Sequence, residues 1–277
     1  MLTEQIRPFR FALVAFAPVR LSALNYKKTS ADISGSLFAI VDERINSECE
    51  EGLINEGFEI IKLPKDKRLS EAVSSHTDLL IFRHHNDFIV SKKYYNDNKN
   101  IFDLLKSKIP GLNIIFTDEA VLDKYPFDAI LNALVISDKI FIKSDTASKT
   151  ILEYAKEKKL KIVPIKQGYP ACTVLAIGEK LAITSDVGME KILRAEAINV
   201  HRIDNSEKIK LHPYKYGFIG GCASVFEKKI YFLGNLDAID EGDILKSKIS
   251  ELGYTTVSLA PESNSLFDLG GMILIRA

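Results

Sequence analysis

Leu266-Phe-Asp-Leu-Gly-Gly-Met-Ile-Leu-Ile-Arg276 is a strand-like run with no later apolar run to pair with, and its placement decides the fold. Its opening, Phe267-Asp268, repeats Phe127-Asp128, which begins the run Asp128-Ala-Ile-Leu-Asn-Ala-Leu-Val-Ile136. That earlier run leads through a polar turn, Ser137-Asp138-Lys139, into a second one, Ile140-Phe-Ile-Lys143. Apolar runs split by short polar turns are hairpin signals. The same arrangement is found at Cys172–Ile177 with Leu181–Thr184, at Ile219–Phe226 with Ile230–Leu233, and at Asp78–Phe82 with Phe88–Val90. In each case a helical stretch and a third apolar strand follow.

The recurring unit is therefore β-β-α-β, and it occurs five times. The third strands are Glu59–Leu63, Asn113–Phe116, Lys161–Ile165, Asn199–Ile203 and Thr255–Leu259. Between second and third strands lie amphipathic stretches. Ile151, Leu152 and Ala155 share one helical face, as do Ile244, Leu245, Ile249 and Leu252 in a helix stopped by Gly253. A spacing of roughly 40–50 residues belongs to solenoids and propellers. The first unit, at Phe38-Ala-Ile-Val41, lacks a first strand. The C-terminal run fills that gap if the chain closes on itself, and closure removes exposed sheet edges. The expected fold is an α/β five-bladed propeller closed by its C-terminal strand. It forms one domain over residues 1–277, with an N-terminal extension over about 1–32.

Composition bounds the function. The chain has 277 residues, 46% of them apolar, enough for a sizeable core. Lys+Arg and Asp+Glu both number 37, so the basic excess of a dedicated nucleic-acid or ribosome binder is missing. Cys49, Cys172 and Cys222 form no disulfide framework, which fits a reducing, cytoplasmic setting. No run reaches the ~18–20 apolar residues of a membrane span. The segment Phe11–Ala17 is flanked by Arg7, Arg10 and Arg20 and interrupted by Pro18. It reads as a strand or helix packed on the body rather than a signal peptide.

Five β-β-α-β units in a ring resemble the pentein fold of the guanidine-modifying enzymes, which is shared with ribosome anti-association factors. Gly168-Tyr-Pro-Ala-Cys-Thr173, Ile183-Thr-Ser-Asp-Val-Gly-Met189, Tyr216–Ser224 and Asp268-Leu-Gly-Gly-Met-Ile273 carry the further resemblance. They are similar to stretches of an uncharacterised bacterial family with a guanidine-modifying-enzyme-type domain. The resemblance implies a cysteine that attacks a guanidine carbon, a histidine that moves protons, and carboxylates that hold the guanidinium. It also places the nucleophile on the closing strand. There this chain has Met272, a thioether with no proton to lose.

The inner, first strands of such a ring line its axis, and alternation along them puts Asn132, Thr173, Cys222 and Met272 at one level. Cys222, after Gly220-Gly221, is a candidate nucleophile; the glycines allow close backbone approach to a ligand. Cys172, after the Gly168-Tyr-Pro turn, is a second. Either could instead be a small buried residue. A nucleophilic thiol is expected to carry a depressed pKa. His76 is the candidate acid/base, with Asp78 beside it. Asp186 and Asp268 could hold a cation or could satisfy turn amides. The expected ligand site is Asp78, Asn132, Asp186, Gly220, Gly221 and Asp268. Lys166 and Gln167 could reach the same face. Arg44 suits an anion or a surface ion pair, and Cys49 suits helix packing. His84-His85 has no third ligand in view, His201 and His212 suit structural positions, and no metal or cofactor is expected.

Two functions stay open. One is a hydrolase or transferase acting on a guanidine- or amidine-type small molecule through an axial cysteine. The other is a non-catalytic protein that binds a small molecule or a macromolecule on the same scaffold.

Overall fold

The computed structural model describes residues 35–277, so the Phe11–Ala17 segment and the extension over about 1–32 lie outside the described residues. The order begins with β1 (Leu37–Asp42), α1 (Ser47–Asn55) and β2 (Phe58–Leu63). Next come α2 (Thr77–Leu80), β3 (Ile81–His84), β4 (Asp87–Ser91), α3 (Lys92–Asp97), α4 (Lys99–Lys108) and β5 (Asn113–Thr117). A third group holds β6 (Leu134–Ile136), β7 (Lys139–Ile142), α5 (Lys149–Glu157) and β8 (Lys161–Pro164). The fourth holds α6 (Pro170–Thr173), β9 (Val174–Ile177), β10 (Leu181–Thr184), α7 (Val187–Ala195) and β11 (Asn199–Arg202). After a short β12 (Ile209–Lys210) come β13 (Ala223–Phe226), β14 (Lys229–Phe232), α8 (Gly242–Glu251) and β15 (Thr255–Ser258). The chain ends with β16 (Leu266–Phe267) and β17 (Ile273–Arg276).

Five sheets have three strands each. In each, the middle strand runs antiparallel to the first and parallel to the third. In four of the five, all three strands are close in sequence. In the fifth, β17 pairs with β1, with Leu37 opposite Arg276 and Ile40 opposite Ile273. The C-terminal run thus completes the first unit, as the repeat requires. β12 and β16 form a separate parallel pair.

The middle strands explain why they read as unbroken apolar runs rather than alternating ones. Phe88, Ile89 and Val90 of β4, and Ile140, Phe141 and Ile142 of β7, are all fully buried. Side chains on both faces of these middle strands are buried, so neither face is wet there. The helices pack through narrow stripes: Cys49 and Leu53 of α1, Ile151 and Ala155 of α5, Leu245 and Ile249 of α8. The α8 face is narrower than its sequence suggests. Ile244 is exposed because it sits one residue, about 100°, off the Leu245–Ile249 line. Leu252 is exposed at the C-cap, where Gly253, at φ +75°, turns the chain.

Candidate functional site

The first strands do not begin as extended chain. Short helical turns precede three of them: α2 before β3, α6 before β9, and a 3-10 turn at Gly220–Cys222 before β13. A helical turn rotates side chains by about 100° per residue instead of alternating them. This shifts the expected level of inward residues. Asn132 meets Cys172, with its Nδ2 3.6 Å from the sulfur, while its Oδ1 accepts the Ala171 N–H at 2.9 Å. Thr173 turns away and donates to the Tyr169 carbonyl at 2.9 Å, and Met272 packs in the core.

The loops that head the first strands bind one another. Thr77 Oγ1 donates to Gly270 O at 2.6 Å, and Asn132 Nδ2 to Asp78 O at 3.3 Å. Leu269 and Gly271 both donate backbone N–H groups to Gly221 O. Gly220 lies against the carbonyls of Ala171, Cys172 and Val174; a Cβ there would come within 2.3 Å of the first. A Cβ on Gly221 would stand 1.8 Å from Asp268 Oδ1. The Gly-Gly pair therefore makes its close approach to the protein's own backbone and to Asp268.

This packing gathers four side chains. Cys172 donates its thiol to Asp78 Oδ2 at 2.6 Å. The ligating atoms of His76, Asp78 and Cys172 lie within 4.8 Å of one another, close enough for these three residues to hold a divalent cation. Asp268 accepts the Phe218 N–H at 2.8 Å and the Gly270 N–H at 3.2 Å. His76 is 1% exposed, and neither ring nitrogen has a partner in hydrogen-bond geometry, although the Asp268 backbone is near enough to favour the charged ring slightly. Asp78 Oδ1 is likewise buried and unpartnered.

Burial dominates the electrostatics. It pushes His76 down to about 4, so the ring is neutral near pH 7. It pushes Asp78 up to about 7, with Asp268 adding repulsion and Cys172 partly offsetting it. Asp268 rises to about 6, again mainly by burial, against its backbone hydrogen bonds. The Cys172 thiol is pushed well above its ordinary value by burial, then by the two carboxylates. The resting thiol is therefore protonated, not depressed in pKa as a free-standing nucleophile would be.

His76, Cys172 and Asp268 form part of the wall of a cavity of about 560 Å3, within the range of small-molecule sites. The rest of the wall is mainly aromatic: Tyr125, Tyr169, Tyr214, Tyr216 and Phe218, with Asp128 among them. The expectation did not include these residues. The Gly168-Tyr-Pro turn is the one signal that pointed toward Tyr169. Gln167 braces that turn, accepting the Tyr169 N–H and donating to Thr173 Oγ1.

The other expected residues lie elsewhere. Cys222 is fully buried in a core cluster, its thiol donating to Phe218 O at 3.1 Å. Asp186 is the N-cap of α7 and accepts the Met189 N–H. Cys49 packs in the α1 core. Arg44 forms a bidentate ion pair with buried Asp42. His84 and His85 sit at the β3–β4 hairpin, where His84 shares a hydrogen bond with Tyr154. Among the described residues no helix is long and apolar enough to cross a membrane.

Comparison with solved structures supplies the fold. A mutant DDAH from Pseudomonas aeruginosa, complexed with citrulline, superimposes with a TM-score of 0.52 at 11% identity, covering 87% of this chain and 98% of that one. The inosamine-phosphate amidinotransferase of Streptomyces griseus gives 0.51 at 13% identity, covering 82% and 78%. The N-terminal domain of a cyanobacterial arginine dihydrolase, bound to substrate, gives 0.50 at 12% identity, covering 87% and 97%. At these identities the likeness is one of fold, and that α/β fold is the pentein fold. No curated protein matches the chain. A family profile does match, over residues 40–273, and the chain belongs to that family, DUF6873, described as a family of unknown function.

Proposed function

We propose that this protein binds a guanidinium- or amidinium-bearing small molecule in the His76–Cys172–Asp268 cavity and acts on its central carbon through Cys172. One observation carries the reading: two buried carboxylates, Asp78 and Asp268, flank a buried thiol with no ion-paired cation beside them among the described residues. Such a site is short of positive charge. A planar cation with several N–H donors suits Asp268 in the cavity wall, while Asp78, which is not among the wall residues, carries a buried Oδ1 without a donor.

The same cation would change the chemistry of Cys172. Its charge opposes the carboxylates that hold the thiol protonated, so sulfur gives up its proton to Asp78. Sulfur then attacks the amidine carbon, forming a C–S bond. The C–N bond to the departing amine breaks, and the amine leaves with the proton that Asp78 took from sulfur, relayed through His76 of the cavity wall. Water, or a second amine, then cleaves the C–S bond and returns the proton to sulfur. Asn132 Nδ2, facing the sulfur, stabilises its ionised form. The structural neighbours that bind citrulline or transfer amidino groups support a guanidine ligand.

In this reading the five sheets are blades around one axis. The bonds between loops support closure: the second unit is tied to the C-terminal run, the third to the second, the fourth to the third, and the C-terminal run to the fifth. The three unpaired cysteines fit a cytoplasmic setting.

A second reading is binding without turnover. It is favoured by the protonated resting thiol and by Met272 on the closing strand. One experiment separates the two. Calorimetric titration with arginine, butylguanidine and related amidines should show binding that is lost in Asp268→Asn. Mass spectrometry of quenched turnover should then find a covalent adduct on the Cys172 peptide. Binding with no adduct and no release of amine or ammonia supports the second reading; absence of binding to any guanidine or amidine refutes both in their small-molecule form.

A further inference from the structure

The cavity holds a carboxylate that the chemistry above does not use. Asp128 is 6% exposed. Its Oδ2 accepts the Tyr169 hydroxyl at 2.5 Å, and its Oδ1 is buried with no partner. A buried carboxylate oxygen without a donor loses its hydration and regains nothing, so a ligand donor there is favourable.

Aromatic faces surround this oxygen. The Tyr125 and Tyr169 rings stand 5.5 Å apart at 39°, and Tyr214 lines the same cavity. Tyr125 is pressed on Gly168: a Cβ at that position would come within 2.8 Å of its ring. Tyr125 and Tyr214 are 51% and 57% exposed, whereas the His76–Cys172–Asp268 group is almost wholly buried. The tyrosines therefore mark the mouth and the thiol the floor. A carboxylate framed by aromatic faces is a setting for an ammonium group, which gains from both. Lys215, the one Lys or Arg among the described residues of the lining, is 74% exposed and pairs with Glu207 at 3.4 Å. A ligand carboxylate would find no buried, unengaged cation among the described residues of the lining.

We propose that Asp128, with Tyr125, Tyr169 and Tyr214, forms a second cation subsite at the cavity mouth. The preferred ligand then carries a guanidinium or amidinium at the floor, a primary ammonium at the mouth, and no carboxylate. The floor half of this statement rests on the proposed function; the mouth half stands on its own geometry.

The test is isothermal titration of the full chain at pH 7.5 with butylguanidine, 4-aminobutylguanidine, arginine and 1,4-diaminobutane. We expect 4-aminobutylguanidine to bind at least tenfold more tightly than butylguanidine, and more tightly than arginine. In Asp128→Asn the ratio of the first two constants falls below two. Gly168→Ala, which displaces Tyr125 without touching a charge, lowers the same ratio by several-fold. Equal affinities in the native protein, or a ratio unchanged in Asp128→Asn, overturn the subsite. If neither guanidine binds, the floor reading fails separately, and diaminobutane decides the mouth: binding that depends on Asp128 upholds the subsite, and no binding overturns it.

Discussion

The Cys172 thiol points its proton at Asp78, sulfur to oxygen 2.6 Å. The bond favours an ionised Asp78 and a protonated sulfur, while burial raises both pKa values. Removing the charge at Asp78 leaves burial but deletes an anion beside the sulfur. Asp78→Asn should therefore speed iodoacetamide labelling of Cys172 at pH 8, by about tenfold for each pKa unit recovered. Peptide mass mapping resolves Cys172 from the buried Cys49 and Cys222, whose pKa values burial also raises. Slower or unchanged labelling at Cys172 would show that the carboxylate does not set its protonation.

The same carboxylate makes stability depend on pH. Asp78 titrates near 3.8 when unfolded and about 7 when folded. Its contribution is fully present below 3.8, where both states hold the proton, and is lost as pH rises through 7. The slope is about 1.4 kcal/mol per pH unit for one proton. His76 runs the other way: lowered to about 4, it contributes fully above 6.5 and loses that contribution as pH falls through 4. Thermal melts of Asp78→Asn should therefore show a gain over the native protein at pH 8 that shrinks toward pH 4. A gain that is flat across that range would remove desolvation as its cause.

The recurring β-β-α-β pattern made the strand order of the sheets legible. Hairpin turns at Ser137-Asp138 and Glu227-Lys228 declare themselves, and the Phe267-Asp268 echo of Phe127-Asp128 located the missing strand of the first unit. His76, Asp78 and a cysteine could be marked as candidates for one axial site, but not which cysteine, Cys172 or Cys222, joins them. Strand alternation fails where α2 and α6 put a helical turn at the head of a strand, so Asn132 faces Cys172 rather than the Thr173 level. Of the tyrosine wall, only Tyr169 left a signal, in the Gly168-Tyr-Pro turn. Tyr125 and Tyr214 come from loops whose course no periodicity encodes, and they reach one cavity only through tertiary packing.

Gly221 has no room for a side chain. A Cβ there would overlap Asp268 Oδ1, whose carboxylate is fixed by Phe218 and Gly270 N–H groups. Gly221→Ala should cost about 1–3 kcal/mol in urea denaturation, as overpacking does. It should also weaken guanidine binding by more than tenfold, since Asp268 must move. Wild-type affinity in the variant would separate Asp268 from the ligand site.

Arg44 holds the loop that delivers His76. Its guanidinium grips Asp42 with two nitrogens and donates to the Glu71 and Ala72 carbonyls, while Ser75 Oγ also bonds Asp42. Asp42 is fully buried, so Arg44→Met strands its charge. Breaking such a pair costs roughly 3–5 kcal/mol. The double variant Arg44→Met with Asp42→Asn should recover much of that loss. Full additivity in the cycle would mean the pair does not act as a unit.

The C-terminal strand does more for the fold than its length suggests. β17 gives β1 its antiparallel partner, and Leu274 O accepts from the Arg83 guanidinium, a group that burial lowers to about 10 and that has no carboxylate partner among the described residues. Ending the chain at Met272 exposes the edge of β1, strips cover from Phe38 and Ala39, and leaves Arg83 without that acceptor. Because β17 anchors the Asp268–Gly271 turn at its C-terminal side, the loss should reach Asp268 and the ligand site. Urea unfolding of the shortened chain should be broad and low, with a raised dye-binding signal at zero urea, and adding the missing segment as a peptide should restore a sharp transition. A sharp transition at the native midpoint without the peptide would show that β17 closes nothing that matters to the fold.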